Sequence, residues 1–171
     1  VAPKMIIVKE RSTTRDWAVW QSTLAGNQVL FLNSTLATQT DTAVWNNTLP
    51  TSSVFSVSTS TYTNQSTGTY VAYCFAEIAG FSKFGSYTGN GSADGSFVYT
   101  GFRPKYILIK NTTSGSTTGW VIMDTSTKTY NVDDTYLSAE SSNAEATSTT
   151  LNIDFLSNGF KIRGINAWIN A

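Results

Sequence analysis

Apolar positions in this chain come in short runs separated by stretches of Ser, Thr, Asn and Gly, which is the pattern of strands and turns. Met5 to Val8 is continuously apolar between Pro3 and the charged, hydroxyl-rich Lys9 to Asp16, so it predicts a strand covered on both faces followed by a loop. Trp17 to Gln21 and Val29 to Leu32 are β-prone and flank the turn residues Ala25-Gly26-Asn27. Thr35 to Asn47 reads as loop with a short strand around Ala43 to Trp45. Val54 to Tyr62 alternates Phe55, Val57 and Thr59 against Ser56, Ser58 and Ser60, the pattern of a half-exposed strand. Thr69 to Ala76 is aromatic and apolar on both faces, which predicts a central strand in the core with Cys74 as a buried, inert thiol. Further strands are expected at Phe84 to Tyr87, Phe97 to Thr100, Tyr106 to Lys110, Trp120 to Asp124, Thr135 to Ser138, Leu151 to Phe155 and Phe160 to Arg163. Asn158-Gly159 should make a tight hairpin. No segment carries a convincing helical stripe.

The order of these runs repeats. Pro3-Lys4-Met5-Ile6-Ile7-Val8-Lys9 returns ~100 residues later as Pro104-Lys105-Tyr106-Ile107-Leu108-Ile109-Lys110, and such a spacing marks an internal repeat. Trp17-Ala18-Val19-Trp20 then matches Trp120-Val121-Ile122-Met123, Phe31-Leu32 matches Tyr136-Leu137, and Phe55-Ser56-Val57 matches Phe160-Lys161-Ile162. The first copy continues into Tyr70 to Glu77, whereas the second stops at Ala171 before its counterpart. The division is therefore a β unit over 1–80, a Gly-rich connector over 81–100, and a second β unit over 101–171 that lacks its last strand. Many short strands with turns between them predict an all-β fold, an antiparallel sandwich of jelly-roll or lectin-like type, with a barrel as the runner-up.

Composition narrows the function. The chain carries 11 basic and 11 acidic residues for a net charge of +0, and only 13% of its residues are charged. Nothing in that balance draws in nucleic acid, an anionic membrane or an acidic substrate. A single cysteine and no histidine exclude an internal disulfide and a structural zinc site. No window approaches the roughly 18 apolar residues of a membrane span. A chain opening on Val1 reads as trimmed or excised from something longer.

Catalytic constellations are scarce. Without histidine no Ser/His/Asp or Cys/His arrangement can form, and no serine sits in a nucleophile elbow. The closest acidic group is Asp133-Asp134 with Glu140 and Glu145. In a loop, Asp133 and Asp134 could ligate calcium, with Asn131 helping; a solvated polar turn is the competing reading, and no other cofactor is expected. Gly89 to Gly95 looks superficially like a phosphate loop, but it lacks the G-K-[ST] ending and reads as a turn needing positive φ. Trp17, Trp20 and Trp120 fall in predicted strands and are assigned to the core. Trp45 beside Asn46-Asn47, and Trp168 beside Asn166, fall in polar loops, where an indole and an amide could grip a sugar ring.

The run from Phe84 through Gly85-Ser86-Tyr87-Thr88-Gly89-Asn90-Gly91 to Phe102-Arg103-Pro104, followed by Asp154-Phe155-Leu156-Ser157-Asn158-Gly159-Phe160-Lys161-Ile162-Arg163, resembles a repeat domain of tailed-bacteriophage virion proteins. Such domains occur in tail-fibre-like and other structural proteins of marine and freshwater phages. The resemblance implies a non-enzymatic structural protein of the virion or extracellular space, without catalytic residues. Its partners would be copies of itself, other virion proteins and a host-surface glycan. A capsid decoration or assembly protein, and a secreted lectin-like adhesin, are the alternatives. In that family the second unit continues into a strand like Tyr70 to Glu77, so either the chain continues or a neighbouring subunit fills the gap.

Overall fold

The computed structural model describes residues 1–115 and 118–171. The amino-terminal half builds one sheet from β1 (Met5–Glu10), β2 (Ala18–Gln21), β3 (Gln28–Phe31), β4 (Gln39–Thr40) and β5 (Tyr70–Phe75), in the order β4-β3-β2-β1-β5. All of its pairings are antiparallel. Side chains alternate along β1, so Ile6 and Val8 enter the core while Met5, Ile7 and Lys9 turn to the other face. The single-turn helix α1 (Thr42–Trp45) contributes Val44 and Trp45 to that core. Asp41 caps it, accepting the Ala43 N–H at 2.8 Å.

The carboxy-terminal half holds two sheets. β7 (Tyr106–Lys110), β8 (Trp120–Asp124), β9 (Thr135–Ser138) and β10 (Ala146–Thr147) form one in the order β10-β9-β8-β7. The other joins β11 (Ile153–Leu156) and β12 (Gly159–Ile162) to β6 (Phe97–Tyr99), in the order β11-β12-β6. Ile107, Ile109, Val121 and Met123 of the first sheet share one core with Ile153, Phe155, Phe160 and Ile162 of the second. A last helical turn, α2 (Ala167–Asn170), closes one end through Ile169. The fold is all-β and antiparallel, with sheets packed in the manner of a sandwich.

Local hydrogen bonds recur between the halves. Leu32 N–H donates to the Trp17 carbonyl (3.0 Å), as Ala139 does to Trp120 (3.3 Å). Trp17 N–H donates to the Asn33 side-chain oxygen (2.9 Å), as Trp120 N–H does to Glu140 (2.8 Å). Ser34 closes a turn onto the Phe31 carbonyl (3.2 Å), as Ser141 does onto Ser138 (3.3 Å). Ser60 N–H reaches the Ala43 carbonyl (3.1 Å), as Asn166 reaches Thr150 (2.9 Å). The pairing also corrects the sequence alignment: Phe31 stands opposite Ala18, and Ser138 opposite Val121. Phe31 therefore corresponds to Ser138, two positions beyond the expected Tyr136.

Several local expectations change. β5 is an edge strand, not a central one, and Ala72, Tyr73, Cys74 and Phe75 are exposed on it. Its sequence suits burial on both faces, but only β1 lies beside it among the described residues. Val54 to Tyr62 forms no strand, because its backbone bonds locally: Thr51 N–H reaches Val54 and Asn64 N–H reaches Ser60, both at 2.8 Å. Ala43 to Trp45 is helix, and Phe84 to Tyr87 has no strand pairing. The hairpin turn is Ser157-Asn158, with Gly159 already paired to Leu156. Glycine stands at 159 because a Cβ there would collide with the Val98 carbonyl of β6.

β7 also ends its sheet. Thr125 N–H donates to the Lys105 carbonyl at 3.0 Å, which sets the backbone groups of 105, 107 and 109 toward β8. Those of Tyr106, Leu108 and Lys110 turn to the far side, where no strand lies among the described residues.

Candidate interaction surface

The loop tryptophans expected to meet a sugar do not form a site. Trp45 is 2% exposed and packs in the amino-terminal core. Asn46 and Asn47 beside it are exposed with φ of 54° and 47°, so they end α1 in the left-handed region. Trp168 is half-buried on α2 and stands edge-on to Tyr136, with ring centroids 6.3 Å apart. Asn166 caps that helical turn by accepting the Trp168 N–H at 3.0 Å. The two indoles thus belong to separate cores; the Asn166 amide caps a helix, and Asn46 ends one through its left-handed backbone.

The acidic pair diverges. Asp133 is 1% exposed, accepts the Thr135 N–H at 3.0 Å and exchanges backbone hydrogen bonds with Ile153. Burial pushes its carboxyl above the ordinary carboxylate range. Asp134 faces outward to the Lys128 ammonium, whose hydrogen bond holds its pKa below the ordinary value. Glu140 is committed to Trp120 N–H, and Glu145 is exposed. Among the described residues no group of three or more acidic, Cys or His side chains could hold a metal ion.

The Gly89 to Gly95 loop is tied to the end of the chain. Asn170, 2% exposed, accepts the Asn90 N–H at 2.8 Å and donates to the carbonyls of Ser92 (2.8 Å) and Gly164 (2.7 Å). Its own carbonyl accepts the Gly91 N–H at 3.1 Å. Gly91 has a φ of 64°, as a turn of this kind needs, while Gly89 lies so close to Ala171 that a Cβ would clash.

A different surface stands open. Beside the end of β1 and β5, Lys9, Trp17, Val71 and Tyr73 line a depression of about 740 Å³ with Asn33 and the loop from Arg11 to Arg15. Strand alternation builds it: Lys9 pairs with Val71 and Ile7 with Tyr73, one residue out of phase with the core positions Ile6 and Val8. Trp17 is half-buried and its indole N–H has no hydrogen-bond partner among the described residues. The Lys9 ammonium lies 6.0 Å from its ring centroid, within cation–π range. Arg15 approaches the buried Glu10 at 3.6 Å, and Ser12 donates to the same carboxylate at 3.2 Å. Lys9, Arg11 and Arg15 against Glu10 alone give this lining a positive balance.

Sequence reasoning assigned Trp17 to the core. Strand phase could not have shown otherwise, because Ala18 and Val19 on the two faces of β2 are both fully buried; Trp17 stands one residue before the strand begins, at the rim of the depression.

The equivalent surface in the carboxy-terminal half is covered. Trp120 is 4% exposed and packs in the amino-terminal core, its indole N–H donating to the Phe31 carbonyl at 2.8 Å. The Lys110 ammonium donates to the carbonyls of Thr35 (3.1 Å) and Thr118. Burial lowers its pKa. Thr38 N–H donates to the Thr112 carbonyl at 3.1 Å. The segment from Phe31 to Thr38 therefore lies across the Trp120 surface.

An antiparallel β fold with one aromatic, cationic surface covered and its counterpart open defines a class by architecture and not by chemistry. Over residues 1–171 the chain matches the family model described as "Domain of unknown function (DUF7483)", and it belongs to that family. No curated protein and no solved structure matches the chain. Among the described residues no helix is long and apolar enough to cross a membrane.

Proposed function

We propose that the domain is a non-enzymatic structural component of a phage virion, a tail-fibre or surface-appendage module that works by assembling with copies of itself and with other virion proteins. The observation that carries this reading is the open sheet edge on β5. An unpaired edge templates pairing with another chain unless it is short, charged or covered. Here β5 is six residues long, uncharged, and exposes Tyr73 and Phe75, with Ile78 and Phe81 exposed just beyond it. Exposed apolar side chains gathered along one segment mark a contact surface. The resemblance of Phe84 to Pro104 and of Asp154 to Arg163 to a virion repeat domain supports the location. Glycan contact through Trp45 has no place in this reading, because that indole lies in the core.

Gold-labelled antibodies against the domain should decorate purified virus particles at a tail or surface appendage. Label confined to the capsid shell would favour a decoration protein instead. Particles that contain none of the chain by mass spectrometry would refute a virion role.

A further inference from the structure

The two tryptophan surfaces occupy equivalent places, and the chain itself shows what covers one of them. We propose that the open Trp17 surface of one molecule receives the 138–145 segment of a second copy, in a head-to-tail contact that repeats the one made inside the chain between the Trp120 surface and the segment from Phe31 to Thr38.

The recurring bonds fix the correspondence. Trp17 stands for Trp120, because each pairs its N–H with the side chain of an equivalent residue, Asn33 or Glu140. The strand alignment makes Lys9 the counterpart of Lys110, and Arg11 that of Thr112. On the covering segment the turn closed by Ser34 onto Phe31 matches that closed by Ser141 onto Ser138. Two residues on, Leu36 N–H bonds the Ser34 hydroxyl at 3.2 Å, as Asn143 N–H bonds Ser141 at 2.9 Å. Ser142 thus stands for Thr35 and Glu145 for Thr38.

Transferred to two molecules, the Trp17 indole N–H meets the Ser138 carbonyl, and the Lys9 ammonium meets the Ser142 carbonyl. The backbones of Glu145 and Arg11 meet where Thr38 and Thr112 meet within the chain. Two observations favour this occupant over any other. The residues from Ser142 to Glu145 are exposed and lie outside any strand. The substitutions between the copies are also complementary: a neutral Thr–Thr contact inside the chain becomes Glu145 against Arg11 between molecules, in a depression already lined by Lys9 and Arg15. A contact between two different surfaces of the same chain is heterologous, so repeating it makes a ring or an open filament.

This inference deepens the assembly reading proposed above, but its test is separate. The native chain should form a concentration-dependent series of oligomers in sedimentation velocity. Arg11→Glu and Glu145→Arg both lie at exposed positions, so each variant should keep the native circular dichroism spectrum. Each alone should associate at least tenfold more weakly, and an equimolar mixture of the two should regain association, since each variant's segment then meets the opposite charge. Variants that assemble like the native chain would overturn this interface and leave the assembly reading standing. A native chain that stays monomeric at every concentration would overturn the interface too, while the virion role would still rest on the labelling of particles.

Discussion

The indole N–H of Trp120 donates to the main-chain carbonyl of Phe31 at 2.8 Å, so a side chain of the carboxy-terminal sheet is buried in the core of the amino-terminal one. Leu108 and Ala139 pack against the same core. The two halves therefore share apolar surface and should unfold together. Trp120→Ala removes a buried aromatic and should cost about 3–5 kcal/mol. Trp120→Phe keeps most of the packing, loses the hydrogen bond and should cost about 1 kcal/mol for that bond alone. Urea denaturation followed by fluorescence and by far-ultraviolet dichroism checks both; equal stability of the native chain and Trp120→Ala would contradict the shared core.

Asn170 joins α2 to the glycine-rich loop by three hydrogen bonds, through its side chain to Asn90 and Ser92 and through its carbonyl to Gly91, and its side chain makes a fourth to the Gly164 carbonyl. Asn170→Leu leaves the N–H of Asn90 and the carbonyls of Ser92 and Gly164 without that partner. Removing one side of buried hydrogen bonds costs about 1–3 kcal/mol per group left unsatisfied. The expected outcome is a loss within that range or above it, with faster amide exchange at Asn90 than in the native chain.

Acid stability should show two opposed contributions. Lys128 lowers the pKa of Asp134, so that group's stabilisation is present above the ordinary value of 3.8 and is lost as pH falls through the depressed value. Burial raises the pKa of Asp133, so the folded state holds its proton more tightly than the unfolded chain. Its favourable contribution is full below 3.8 and is lost as pH rises through the raised value. Asp133→Asn keeps an acceptor for the Thr135 N–H and removes the charge. Its urea midpoint should therefore rise relative to the native chain as pH increases from about 4 to about 7, the span in which a raised carboxyl ionises. A difference that stays constant across that span would rule out the buried carboxylate as the cause.

Cys74 is exposed on β5. The folded native chain should react with one equivalent of an aromatic disulfide reagent without denaturant. Protection at a dilution where the chain is monomeric would contradict the exposed edge, whereas protection that appears only as concentration rises would place β5 in the assembly contact.

The all-β class was legible because strand-length apolar runs such as Met5 to Val8, Tyr106 to Lys110 and Trp120 to Met123 have no helical reading. What could not be read was which side of a run is covered. Tyr70 to Phe75 has the composition of a central strand, yet composition reports the capacity for burial and not the presence of a neighbour. Likewise Val54 to Tyr62 has the alternation of a strand, but with no adjacent strand its hydroxyls and amides bond locally instead. The tryptophans were exchanged for the same reason. Trp45 sits beside polar residues that terminate a helix, and Trp17 sits just before the first residue of β2, where the buried part of that strand has not yet begun. The repeat itself was legible in order. Its register was not, since Phe31 and Ser138 differ in chemistry and only strand pairing shows that they correspond.

The contact between the Trp17 surface and the 138–145 segment can be trapped directly. In a Cys74→Ser background, one preparation carries Arg11→Cys and another Glu145→Cys; the residues they stand for, Thr112 and Thr38, touch through a 3.1 Å backbone hydrogen bond. Mixed and oxidised, the two should give a disulfide-linked heterodimer in high yield, whereas Arg11→Cys mixed with a Glu77→Cys control should not. Equal yields from the two mixtures, or none from either, would contradict the head-to-tail contact.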